Sequence, residues 1–318
     1  MPIITYDNNQ YLLQDNESIL SCLKRNGVEY PSSCQAGICQ SCLIKAPIAN
    51  RVDASWQNGI QDTLKAQNYF LACLAKPIVD FHLESPNAAE CETVAKILEI
   101  KALTYNVLAV YLSVADLTKW IPGQYISIIN PAGIIRSYSI ANLPVTDGYI
   151  ELHIKLCSGL MTSWLKEHAK VGDSLNIRGP MGQCFYFNPK RLNYAMLLIG
   201  TGTGLAPLVA IVRSALSQDH QGEITLIHGG RTDQDLYYLS ELKALSLAHP
   251  NFHYENCVLK SEGLFSEMPI DKKMLLWLKD PSNLHLYVCG PKETTSTLKT
   301  KAFLAGVPSS KILSDAFL

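Results

Sequence analysis

The chain has 318 residues, 47% hydrophobic and 17% charged, which is room for two or three globular domains with real cores. With 27 Lys and Arg against 28 Asp and Glu, the net charge of −1 provides no general field for nucleic acid or an anionic membrane surface, and neither is expected as a partner. The opening MPIITYDNNQ has neither a basic leader nor an apolar segment, so export is not expected, and ten cysteines in such a chain point to metal or redox chemistry in the cytoplasm rather than to disulfides.

The first expected domain covers residues 1–88 and runs out in ESPNAAECET, Glu84 to Thr93, a polar, small-residue linker. Within it, CQAGICQSC places Cys34, Cys39 and Cys42 with four and then two residues between them, and Cys73 follows after thirty more. That is the plant-type spacing for a [2Fe-2S] cluster, in which each iron takes two thiolates. Gly37 lets loop amides approach the sulfurs. Four cysteines also satisfy tetrahedral zinc, but zinc sites usually bring two CxxC knuckles and Cys73 has no near neighbour. Cys22, Cys91, Cys157, Cys184 and Cys257 read as small buried hydrophobes. The stretch SILSCLKRNGVEYPSSCQAGICQSC, with LACLAKP further on, resembles the plant-type ferredoxin domain and implies a β-grasp fold.

From 94 to 190 the pattern changes to short alternating runs, VLAVYLSV, YISII, YIELHIKL and SLNIRG, divided by glycine, proline and Asp-Gly turn signals, which predicts an antiparallel β-barrel. One helix is expected over GLMTSWLKEHAKVG. The tetrapeptide RSYS (136–139) offers a guanidinium for a pyrophosphate, an aromatic face and two hydroxyls, although any exposed hairpin can carry those groups. With PGQY before it and GLMTSWL and GDSLNIRGPMG after it, the segment resembles the FAD-binding barrel of the ferredoxin-NADP reductase superfamily. The resemblance implies Arg136 at the pyrophosphate, Tyr138 against the isoalloxazine or ribityl chain and Ser139 near flavin N5. By the same carry-over Ser137, Lys155, Gly159 and Thr162 are further flavin contacts.

Residues 191–318 alternate strand-like runs (YAMLLIG, EITLIHG, FHYENCV, HLYVCG) with segments long enough for helices, which predicts an open parallel α/β sheet. The uncharged run from Leu192 to Val212 is broken by three glycines and Pro207 and is not expected to span a membrane. In LLIGTGTGLAPL a strand ends at Gly200, Gly202 and Gly204 and a helix opens, so backbone N–H groups face whatever docks there. The spacing is GxGxG rather than the Rossmann GxGxxG; it resembles the nicotinamide-binding half of the same superfamily. There Arg231 lies near the adenosine ribose, and the Cys-Gly-Pro turn brings Cys289 and Gly290 to the nicotinamide; a loop charge and a buried strand-end thiol are the plain alternatives. Thr232 and Asp233 after Arg231 suit a free 2′-hydroxyl, so NADH is favoured over NADPH. Phe317, one residue from the end, either covers the flavin face or tucks into the core on a terminal strand.

The whole chain is thus read as multidomain α+β and α/β: ferredoxin, flavin barrel, nicotinamide domain. It resembles the reductases of bacterial ring-hydroxylating dioxygenases and multicomponent monooxygenases. That resemblance implies FAD, NADH and a [2Fe-2S] cluster, with electrons leaving to an oxygenase component from a monomeric enzyme. Ser139 orients and Cys289 flanks the hydride path. Two alternatives stand beside it: a CDP-6-deoxy-glucoseen-type reductase, which shares the layout and the Asp-Ala-Phe-Leu ending, and a redox-sensing module without turnover.

Overall fold

The computed structural model describes residues 1–32, 34–60, 62–87, 91–114, 120–144, 148–182, 184–186 and 193–317. The expected boundaries at 88, 190 and 191, and linker residues 88–90, lie outside the described residues. The chain divides into two compact units: Met1–Val94 with Ile126–Ser137 and Leu175–Met181, and Ala95–Tyr125 with Tyr138–Ser174 and Gly182–Leu318.

In the first unit β1 (Ile3–Tyr6) and β2 (Asn9–Leu12) form an antiparallel hairpin. Its two turn residues, Asp7 and Asn8, have φ of 50° and 60°, a conformation that short polar side chains tolerate and that matches the twist of paired strands. Helix α1 (Ile19–Arg25) begins at Ser18, whose hydroxyl accepts the Ser21 N–H at 3.2 Å, and it buries Ile19, Leu20, Cys22 and Leu23 along one face. Strand β3 (Leu43–Lys45) pairs with β4 (Tyr69–Leu71), the short α2 (Asp62–Lys65) leads into β4, and β5 (Phe81–His82) adds to β1 in parallel. Trp56, Phe70 and Phe81 meet ring to ring at 5.7–5.9 Å in the core beneath.

The strands β6 (Thr93–Thr104), β7 (Val107–Val114), β8 (Tyr125–Ile129), β9 (Ile135–Ser139), β10 (Ile150–Lys155) and β11 (Ser174–Met181) follow in chain order. β7 lies antiparallel between β6 and β10. All five residues of β8 are buried, and so are the first five of β10. Helix α3 (Leu160–Glu167) falls where one was expected.

The second unit also holds a five-stranded parallel sheet of β12 (Ala195–Thr201), β13 (Ile224–Gly230), β14 (Phe252–Val258), β15 (Leu284–Pro291) and β16 (Ile312–Phe317), in the order β14-β13-β12-β15-β16. Helices α4 (Leu205–Ser217), α5 (Leu239–Ala248), α6 (Ile270–Trp277) and α7 (Lys292–Leu304) connect consecutive strands. The four expected strands are all present, and β16 is a fifth. Because the chain winds away from β12 in both directions, the carboxyl ends of β12 and β15 border the crevice where such sheets take ligands. Among the described residues no helix is long and apolar enough to cross a membrane.

Candidate functional site

The cysteine loop precedes β3. Gln35 and Gly37 hold φ of 51° and 74°, which bends the backbone around a sulfur. The N–H groups of Ala36, Ile38 and Cys39 reach Cys34 Sγ at 3.4, 3.4 and 3.3 Å. The Cys34 N–H in turn reaches Cys39 Sγ at 3.3 Å, and the thiols interact electrostatically in two pairs, Cys34 with Cys39 and Cys42 with Cys73. The Cys39 thiol and the three amides push Cys34 down to about 5, whereas the Cys73 thiol and burial push Cys42 up. Among the described residues no three or more His, Cys, Asp or Glu side chains converge as on a single ion. The cysteines stand instead as two pairs, 34 with 39 and 42 with 73. A single tetrahedral zinc needs all four sulfurs at about 2.3 Å from one point; a two-iron cluster needs two thiolates per iron. The donor set and the amides aimed at sulfur therefore fit [2Fe-2S].

A contact that no spacing signals ties this loop to β8 and β9. Ser127 Oγ donates to the Cys39 carbonyl at 3.3 Å and shares a hydrogen bond with Ser137 Oγ at 2.9 Å.

The glycine-rich strand end is built by backbone crowding. A Cβ on Gly204 would lie 2.2 Å from the Cys289 carbonyl oxygen, and one on Gly290, itself at φ 144°, would lie 2.7 Å from Thr201 Oγ1. The ends of β12 and β15 thus pack main chain to main chain. Helix α4 then opens at Leu205 without a side-chain cap, so its first-turn N–H groups are available to an anion. Cys289 is 2% exposed, its Sγ 3.8 Å from that of Cys184, and burial pushes its thiol up.

Ser139, the last residue of β9, is buried and donates from Oγ to Asp315 Oδ2 at 2.9 Å. Asp315 stands on β16 directly opposite Cys289 on β15. Burial raises the Asp315 carboxyl to about 6 against the opposing pull of the Ser139 hydrogen bond. Ser139, Asp315 and Cys289 are thereby gathered from three remote segments. Asp315 is the Ser139 partner that sequence reasoning missed, because a partner 176 positions away leaves no local pattern.

The other expected residues fall as follows. Arg136 is exposed, its Nη1 donating to the Ile135 carbonyl at 2.7 Å; Arg136 and Ser137 belong to the first unit, Tyr138 and Ser139 to the second. Lys155 is exposed at the end of β10. Gly159 is the N-cap of α3, which has no side-chain cap. The Thr162 hydroxyl donates back to the Cys157 and Gly159 carbonyls and is buried. Arg231 is exposed, whereas the Asp233 carboxylate turns inward to accept the Glu262 N–H at 2.8 Å. Phe317 ends β16, half-buried and opposite Pro291.

Three family models match in order: a 2Fe-2S iron-sulfur cluster binding domain over residues 5–77, an oxidoreductase FAD-binding domain over 95–186 and an oxidoreductase NAD-binding domain over 198–299. The reductase subunit of an aromatic O-demethylase from an Amycolatopsis species is 32% identical over 256 residues, covering 76% of this chain and 75% of that one. The ferredoxin–NAD(P)+ reductase component of the naphthalene 1,2-dioxygenase system of Pseudomonas putida is 29% identical over 332 residues, covering 100% and 98%. The crystal structure of the Amycolatopsis cytochrome P450 reductase GcoB superposes with a TM-score of 0.72 at 25% identity, over 100% of this chain and 99% of that one. Domain order, paired cysteines and whole-length likeness agree: the chain belongs to the ferredoxin–NAD(P)H reductase superfamily, in the group that carries a [2Fe-2S] ferredoxin domain ahead of its FAD- and NAD-binding domains.

Proposed function

We propose that this protein is a cytoplasmic, monomeric, NADH-dependent reductase that supplies single electrons to an oxygenase or monooxygenase component. The domains would fall at 1–88, 94–190 and 191–318. A flavin takes two electrons as one hydride and releases them one at a time, and an iron-sulfur cluster passes one electron at a time. The chain's own residues position these groups. Cys34, Cys39, Cys42 and Cys73 would hold the cluster. Arg136, Ser137, Tyr138, Lys155, Gly159 and Thr162 would line the flavin, and Gly200, Gly202, Gly204, Arg231 and Gly290 the nucleotide, with Phe317 at the flavin edge. Ser139, anchored by Asp315, and Cys289 would flank the reacting ring atoms.

The observation that carries this reading is the joining of Ser139, Asp315 and Cys289 beside a glycine-lined strand end, on the same chain as two cysteine pairs. The Asp-Ala-Phe-Leu ending is accounted for by Asp315 within that site, so it does not select a sugar-nucleotide client over an oxygenase. The test is an anaerobic titration with NADH and, in parallel, NADPH, followed by flavin absorbance and electron paramagnetic resonance. NADH should bleach the flavin and produce the signal of a reduced [2Fe-2S] centre. Reduction by NADPH alone overturns the donor assignment; bleaching with no paramagnetic iron overturns the route.

A further inference from the structure

A buried polar chain runs from β10 to the glycine loop, and none of its side chains belongs to the site described above. Glu151 and His153 are each 3% exposed, so both require partners. Glu151 Oε1 faces His153 Nε2 at 3.1 Å and accepts from the Tyr111 hydroxyl at 3.3 Å and from the Tyr238 hydroxyl. On the other side of the imidazole, Nδ1 meets the Tyr237 hydroxyl at 3.0 Å, and that same hydroxyl faces the Gly202 carbonyl oxygen at 3.4 Å. Gly202, with φ of 55°, is the left-handed residue of the glycine loop.

A count of protons shows what this chain does. Tyr237 has one hydroxyl proton. In a neutral imidazole the Glu151 carboxylate claims the proton on Nε2, so Nδ1 is bare and takes the tyrosine proton, leaving Gly202 with the long contact. When His153 carries a second proton, Nδ1–H donates to the tyrosine oxygen and the hydroxyl proton is released to the Gly202 carbonyl. The charged and titratable groups facing His153 are Glu151 on its own strand, Tyr237 and Tyr238 at the start of α5, Arg213 of α4 and His228 of β13, with Tyr111 of β7 behind Glu151. Burial lowers the imidazole's affinity for its second proton, Glu151 opposes this, and Arg213 adds to the lowering.

We propose that Tyr237 is a positioning residue for the nicotinamide nucleotide, its hydroxyl dividing between His153 and the Gly202 carbonyl so that the proton on His153 sets how firmly the nucleotide loop is held. The inference rests on reading Gly200–Gly204 as the nucleotide loop. Tyr237→Phe, tested in the flavin- and cluster-loaded protein, keeps the ring and deletes the hydroxyl. Where His153 is protonated, the dissociation constant for NADH, read by fluorescence titration, and KM for NADH should both rise roughly fivefold, the worth of one neutral hydrogen bond, and by more than kcat changes, the rise shrinking as pH climbs and the hydroxyl turns to Nδ1. Wild-type KM should fall as pH drops and His153 gains its proton, and that slope should vanish in the variant. Tyr254→Phe, which removes a hydroxyl facing His228 instead, should leave the NADH constants unmoved. Wild-type and Tyr237→Phe constants that coincide at every pH overturn the inference while leaving the nucleotide reading intact; failure of the wild type to bind NADH at all sinks both.

Discussion

The cysteine loop and the glycine-lined strand end are both tight backbone constructions, yet they are built on opposite principles. Three of the four cluster cysteines lie within nine residues, and their loop is shaped by its own positive-φ residues. The strand end is shaped by contact between segments far apart in the chain, with Gly204 against Cys289 and Ser139 against Asp315. A locally encoded site should tolerate a neighbour that can move aside. A site assembled from remote backbone should not.

The largest effect should come from removing the one ligand that is not local. Cys73→Ser should lower reduction of a one-electron protein acceptor such as cytochrome c by at least roughly 100-fold and abolish the cluster's paramagnetic signal, while NADH-dependent ferricyanide reduction survives. Loss of both activities together would mean the two regions are not separable. Gly204→Ala comes next: the new methyl meets main-chain atoms that cannot withdraw, so about 3 kcal/mol of stability should be lost in denaturant titration, along with nicotinamide binding.

Asp315→Asn probes the remote assembly through its charge. The folded Asp315 carboxyl, at about 6, lies above its ordinary 3.8, so its contribution to stability is present below the ordinary value and is lost as pH rises through about 6. The variant should flatten that part of the stability profile. Its flavin should also bleach about tenfold more slowly with NADH at neutral pH, because Ser139 loses an ionised anchor. In the wild type, bleaching should slow toward the variant's rate as pH falls through about 6. Equal stopped-flow rates for the two proteins at neutral pH would remove Asp315 from the site. The smallest effect should be that of Gly37→Ala. There the methyl would meet the end of the Leu74 side chain at 2.6 Å, which can rotate away, leaving mainly the strain of φ 74°, about 1 kcal/mol. A thermal melt showing Gly37→Ala as damaging as Gly204→Ala would erase the contrast.

Much of this was legible before any fold was known. The cysteine spacing announced the cluster because its ligands repeat at short intervals, and the four apolar runs after Asn193 announced β12 to β15 because strand and helix periods differ. The helix α3 was placed by the same periodicity. The strand β16 was harder, because ILSDAF carries Ser314 and Asp315 in its middle, which weakens the apolar signal. Thr162 illustrates the converse: periodicity places it in a helix's first turn, but only the fold shows its hydroxyl donating to the Cys157 and Gly159 carbonyls.

Sequence by itself therefore determined which redox groups the chain is equipped for, since thiolate spacing, glycine placement and periodicity are all properties of neighbours along the backbone. Only the tertiary structure decided which cysteines pair, that Asp315, opposite Cys289, accepts from Ser139, and that Tyr237 links a buried histidine to the glycine loop. Apart from the local Cys34–Cys39 pair, those relations join residues separated by tens to more than a hundred positions, and only tertiary packing brings them together.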